Sequence, residues 1–147
     1  MESKTLGRPV QIRLHSSIKH PGQDKETHEI QATGRYIEKI NSLYLKYEEE
    51  QDGQKIQTTV KLDDSEAFIM RSGAVKMRLP FDTERISTGE YGNGPASMKL
   101  HVKTNRLEFM EKEDLGNGRF NVAYELHAEG SLLGTYEITI TYSEGIK

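Results

Sequence analysis

From Gly118 to Ser143 the chain alternates apolar and polar residues with a period of two. Phe120, Val122, Tyr124, Leu126 and Ala128 take turns with Asn121, Ala123, Glu125 and His127; beyond Glu129-Gly130-Ser131, Tyr136, Ile138, Ile140 and Tyr142 take turns with Glu137, Thr139 and Thr141. Successive side chains of a strand point to opposite faces, so this spacing specifies two strands, each with one buried and one wetted face. A helix would repeat its apolar stripe every 3.6 residues instead. A three-residue loop, Glu129 to Ser131, keeps both apolar sets on one side and places Tyr124 opposite Tyr136. On this reading Asn121 faces solvent, where a change to Asp alters stability by less than about 0.5 kcal/mol.

The same alternation recurs upstream. Val10, Ile12 and Leu14 share a face in a first strand, Val10 to Ile18, and Ile30, Ala32 and Tyr36 share one in a second, Thr27 to Glu38, with Gly34 marking a bend. A two-residue turn at Asp52-Gly53 joins Leu43–Glu50 to Gln54–Leu62 and pairs Tyr47 with Thr58, Leu45 with Val60 and Leu43 with Leu62, all on one face. A similar turn at Ser72-Gly73 sets Met70 opposite Val75 and Phe68 opposite Met77, sending Arg71, Lys76 and Arg78 outward, and Ile69 with them. Pro80 ends that strand, and the turn-rich segment Asp82 to Ala96 holds one short strand, Arg85 to Ser87. Met98–Thr104 and Leu107–Glu111 read as a hairpin about Asn105-Arg106, with Val102 opposite Phe109.

These segments predict an all-β fold, a single antiparallel β-barrel of about eight to ten strands with little or no helix, because closing a meander of hairpins removes exposed edges. A two-sheet sandwich is the alternative. One domain spans residues 1–147, its core lying within residues 8–143, with no repeat or linker. Only 34% of the residues are hydrophobic, which suits a thin closed sheet with a wetted outer face better than a sheet covered by helices. The chain has no cysteine, so disulfides and thiolate metal sites are excluded and a reducing, cytoplasmic setting is expected. No apolar run reaches signal-peptide or membrane-spanning length, so no membrane association is expected.

Motifs that would carry chemistry are absent or incomplete. Gly89 to Gly94 (GEYGNG) is followed by Pro95 and a strand rather than by a helix and lysine, so it reads as a loop and not as a phosphate cradle. The histidines, at 15, 20, 28, 101 and 127, form no i,i+2 pair of the kind a sheet metal site uses, so no metal or cofactor is expected. No nucleophile elbow or nucleophile–base couple is visible. Glu48, Glu49, Glu50 and Asp52 read as a solvated turn. Arg71, Lys76, Arg78, Lys99 and Lys103 make an outer basic strip, but the tyrosines fall on the other face, so the strip lacks the stacking partners of a nucleic-acid site.

Those inward tyrosines are the functional lead. Tyr36, Tyr47, Tyr124 and Tyr136, with Met70 and Met77 as adaptable neighbours, offer apolar rings and hydroxyl tips to a small amphipathic ligand at the barrel mouth. Core filling by the same side chains is the competing reading.

Several segments taken in order, Leu43–Glu50 (LYLKYEEE), Thr58–Leu62 (TTVKL), Ile69–Phe81 (IMRSGAVKMRLPF), Lys99–Phe109 (KLHVKTNRLEF) and Gly118–Gly130 (GRFNVAYELHAEG), resemble the small bacterial YwiB-like family. The resemblance implies a calycin-like, lipocalin-related β-barrel of unknown function in a cytoplasmic bacterial setting, and it implies no activity. The expectation is a binding module for a small amphipathic molecule. A structural or interaction protein working through its outer face or a homodimer interface is the second reading, and an enzyme the third.

Overall fold

The computed structural model describes residues 7–40, 42–92, 97–111 and 117–144. Ten strands follow one another: β1 (Arg8–Lys19), β2 (Glu26–Lys39), β3 (Ser42–Gln51), β4 (Gln54–Leu62), β5 (Glu66–Gly73), β6 (Met77–Asp82), β7 (Ser87–Tyr91), β8 (Met98–Glu111), β9 (Gly118–Ala128) and β10 (Ser131–Ser143). Each pairs antiparallel with its chain neighbours, and β1 pairs with β10, from Gln11↔Ser143 to Lys19↔Thr135. The sheet is therefore a closed up-and-down barrel, not a sandwich, and among the described residues there is no helix.

The β3–β4 hairpin has the expected register, with Tyr47↔Thr58, Leu45↔Val60 and Leu43↔Leu62. Asp52 and Gly53 both take positive φ (54° and 77°), the conformation whose twist matches a two-residue hairpin. Gly34 is required by close approach. A Cβ there would meet the Lys46 carbonyl and stand 2.6 Å from Ile12 Cδ1, so only glycine lets β2 pass between β1 and β3.

Elsewhere the chain departs from the simplest reading in instructive ways. β5 and β6 are joined by a longer connection than a Ser72-Gly73 turn. The ladder runs Arg71↔Met77, Met70↔Arg78, Ile69↔Leu79. Gly73 stays paired with Ile56 of β4, and the Ala74 amide donates to the Lys55 carbonyl at 3.1 Å, so the chain turns only after Gly73. This inverts the face assignment of β5. Ala67, Ile69 and Arg71 point inward, while Met70 is 39% exposed on the outside. Pro80 does not end β6; it sits outward within the strand, opposite Phe68. The short strand of the turn-rich region is Ser87–Tyr91 rather than Arg85–Ser87.

β8 is one strand of 14 residues, not a hairpin. The register against β9 shifts between Thr104 and Arg106, so Asn105 is the extra residue of a bulge. Inward parity changes there from Leu100, Val102 and Thr104 to Leu107 and Phe109, and the sequence signature of that change resembles a turn. A bulge also resolves the odd spacing at the last hairpin. Glu129 and Gly130 (φ 52° and 80°) form a two-residue turn, and the register shifts between Leu132 and Gly134. Tyr124 does pair with Tyr136.

The outer face is not uniformly wet. Asn121 is only 4% exposed. Its Oδ1 accepts from Arg106 Nε at 2.9 Å, and its Nδ2 donates to Thr139 Oγ1 at 2.8 Å and to Glu137 Oε2 at 3.2 Å. The solvent-face expectation for Asn121 is thereby corrected: neighbouring side chains on β8 and β10 cover it.

Val122 is fully buried, so Val122→Asp places an unpaired carboxylate in the core and abolishes the cooperative urea transition. Asn121→Asp replaces two donors with a carboxylate beside Glu137 and lowers stability by about 1–3 kcal/mol. An unchanged urea midpoint for Asn121→Asp would show that the network adds nothing to stability.

Candidate ligand-binding cavity

The two ends of the barrel are built differently because of where large side chains fall on the strands. At the end where β1 begins and β10 finishes, inward positions are filled. The Tyr36 and Tyr142 rings stack at 5.4 Å, and the Tyr36 hydroxyl donates to Glu111. Phe81 packs beneath Tyr124 at 4.8 Å between ring centroids. At the opposite end, marked by the Asp52-Gly53 and Glu129-Gly130 turns, inward side chains do not meet across the axis. A cavity of about 700 Å³ remains, within the usual range for small-molecule sites.

Its walls differ in character. On β8, β9 and β10 the lining is apolar and aromatic: Leu100, Tyr124, Leu126, Leu133, Tyr136 and Ile138, with the Tyr124 and Tyr136 rings nearly parallel at 5.2 Å. On β3, β4 and β5 it is mostly polar: Tyr47, Glu49, Thr58 and Arg71, with Ile69 the apolar member. Arg71 Nη2 donates to Glu49 Oε1 at 2.8 Å, and the two side chains are 29% and 23% exposed. Thr58 Oγ1 is buried and meets no partner in good hydrogen-bond geometry among the described residues. Met77, Tyr91 and Met98 line the cavity side by side at the ends of β6, β7 and β8, and Tyr91 and Met98 are exposed at its rim.

Of the residues expected to form a site, the cavity brings together Tyr47, Tyr124, Tyr136 and Met77. Tyr36 faces inward as expected but lies in the filled end, out of reach of the cavity. Met70 lies on the outer face, displaced by the β5–β6 register. Glu49 and Arg71, read as a solvated turn residue and an outer charge, are inside. The parity that would have placed them was visible: Glu49 continues Leu43, Leu45 and Tyr47, and Arg71 continues Ala67 and Ile69. No cluster of three or more metal-ligating side chains forms among the described residues. Part of the glycine-rich segment, Gly89 to Pro95, lies outside the described residues; Gly89 itself packs against the Arg78 carbonyl and Leu79, an inward filling position. A second hollow of about 580 Å³ lies outside the barrel over β1, β9 and β10, beside Arg13 and Arg119, and encloses no buried ionisable pair.

The cavity phenols are held neutral. Burial, reinforced by the Glu49 charge, pushes Tyr47 up to about 12, against the opposing pull of Thr58 and Arg71. Burial raises Tyr124, with Tyr136 adding to it, and burial raises Tyr136 as well. All three therefore present O–H donors at neutral pH. A phenol whose folded pKa is raised keeps its proton after the unfolded chain has lost it. Its contribution to stability is complete below the unfolded value of about 10 and is lost as pH rises through the folded value. Stability should be level up to about pH 10 and then fall by up to about 1.4 kcal/mol per pH unit for each such tyrosine. Urea titrations across this range check it, and Tyr124→Phe should make the fall shallower; equal slopes for the two proteins would contradict the burial argument.

Comparisons with known proteins place the chain among proteins of this architecture. The family model described as "Domain of unknown function (DUF1934)" matches residues 12–140. The chain is 34% identical over 137 residues to the uncharacterised β-barrel protein YwiB of Bacillus subtilis (strain 168), covering 93% of this chain and 94% of the relative. The crystal structure of the ywiB protein from Bacillus subtilis superposes with a TM-score of 0.81 at 33% identity, over 95% of this chain and 93% of that one. With a family model spanning most of the barrel and a full-length relative sharing its sequence and fold, this chain belongs to the DUF1934 family of β-barrel proteins.

Proposed function

We propose that the protein is a calycin-like cytoplasmic binding barrel that holds a small amphipathic molecule in the cavity at its open end. The observation that carries this reading is the cavity's two-sided lining, with apolar rings and branched side chains facing a wall of hydroxyls and one ion pair. Sites that bury most of a small molecule combine these elements: apolar area supplies the free energy, and a few placed polar groups fix the orientation. The exposed Tyr91 and Met98 at the rim give the ligand's apolar body a surface to cross on the way in.

The charged outer face supports a water-exposed barrel. Arg13, Arg35, Lys46, Arg78, Lys99, Lys103 and Arg119 point outward and lie on six of the strands, where a lipid-facing barrel carries an apolar band. The absence of cysteine suits a reducing compartment.

The uncharged fluorescent amine N-phenyl-1-naphthylamine tests the reading. Its fluorescence should rise saturably with protein. Ile138→Trp, which pushes an indole into the cavity, should weaken the binding at least about tenfold, equivalent to roughly 1.4 kcal/mol, while the far-ultraviolet circular dichroism remains that of a β protein. Tyr124→Phe should weaken it less, because the ring remains. No saturable rise, or an undiminished one in Ile138→Trp, would overturn the assignment.

A further inference from the structure

The ion pair inside the cavity bears on what kind of molecule fits there. Among the described lining residues Arg71 and Glu49 are the only Arg, Lys, Asp or Glu side chains, and His28 stands at the mouth on β2, paired with Glu26. The formal charge of the polar wall is thus zero. The pair is joined by a single contact, Nη2 to Oε1. The other guanidinium N–H groups of Arg71 and the second oxygen of Glu49 have no partner among the described residues. Beside them the Thr58 hydroxyl, only 2% exposed, meets no partner in good hydrogen-bond geometry among the described residues, and Thr58 pairs with Tyr47 on one side and Arg71 on the other.

Each kind of polar head group meets this wall differently. A carboxylate drawn to Arg71 would stand beside Glu49, and two carboxylates sharing one guanidinium repel. An ammonium drawn to Glu49 would meet Arg71 in the same way. An uncharged head that accepts from a free Arg71 N–H and donates to the free Glu49 oxygen completes both groups without breaking the existing pair. Charge-assisted hydrogen bonds of this kind are the stronger ones, and a ligand that covers such groups without pairing them incurs the cost of their lost hydration. We propose that the cavity is built for an uncharged amphipathic molecule whose polar head both donates and accepts hydrogen bonds, as a primary amide or an alcohol does, seated on Arg71 and Glu49 with its apolar body against Tyr124, Tyr136 and Ile138. This inference rests on the cavity being a ligand site, as proposed above.

Four compounds with one apolar body separate the possibilities: octanamide, 1-octanol, octanoate and octylamine, each measured by displacement of N-phenyl-1-naphthylamine at pH 7. Octanamide and octanol should displace the probe about tenfold more effectively than either ion, the factor expected of one charge-assisted hydrogen bond. Glu49→Gln leaves Arg71 unopposed and should move octanoate to the top of the order. Arg71→Gln leaves Glu49 unopposed and should move octylamine there. These opposite reversals are what a merely structural pair would not produce, and if one variant fails to fold by circular dichroism the other carries the test alone. Octanoate binding best to the unaltered protein, or an order of head groups unmoved by the substitutions, overturns the inference while leaving a ligand site in place. Failure of the probe and of all four compounds to bind overturns the ligand site itself, and the inference with it.

Discussion

Closure of β1 onto β10 is the constraint from which the rest of the structure follows. The ladder from Gln11↔Ser143 to Lys19↔Thr135 turns a meander into a barrel, and with it converts two sheet faces into an inside and an outside. A chain with only 34% hydrophobic residues can fold this way because a barrel needs one apolar face per strand and no helical layer. The outer face can then carry charge along its length. Asn121 shows that even there polar groups are covered where neighbours on adjacent strands converge.

Closure also explains why the barrel is filled at one end and hollow at the other. Barrels of this class have an interior that side chains fill or a small molecule occupies, depending on what points inward at each level. Here Tyr36, Tyr142, Phe81 and Phe120 fill the level where β1 begins and β10 finishes, and Tyr124 forms the boundary above Phe81. Beyond Tyr124 the space between the inward residues is partly lined by Glu49 and Arg71 rather than by more aromatic bulk. An ion pair in such a place is weak evidence for stability, since desolvation offsets most of its attraction. Its place at the hollow end fits the recognition role proposed above.

Much of this was legible in the alternation. The β3–β4 register followed from Asp52-Gly53 and three concordant apolar pairs, and the inward set of β9 and β10 from strict period two. The parts that were not legible share one cause: sequence spacing does not distinguish a turn from a bulge. Asn105 shifts parity within β8 as a turn would, and Leu133 does the same after the last hairpin. Gly73 looked like a turn residue because of its glycine, yet it remains in the ladder with β4, which delays the turn and reverses the faces of β5. That single register decides the candidate site. It removes Met70 from the interior and brings in Arg71, whose partner Glu49 was hidden in an acidic run that resembles a solvated turn.

A barrel hollow at one end and packed at the other makes four methionines natural reporters. Met77 and Met98 line the cavity, whereas Met70 and Met110 are exposed on the outside. With methyl-labelled methionine, titration with N-phenyl-1-naphthylamine should shift the Met77 and Met98 methyl resonances through the probe's ring currents and leave those of Met70 and Met110 in place. Shifts confined to Met70 and Met110, or none at Met77 and Met98 while the probe binds, would contradict the account.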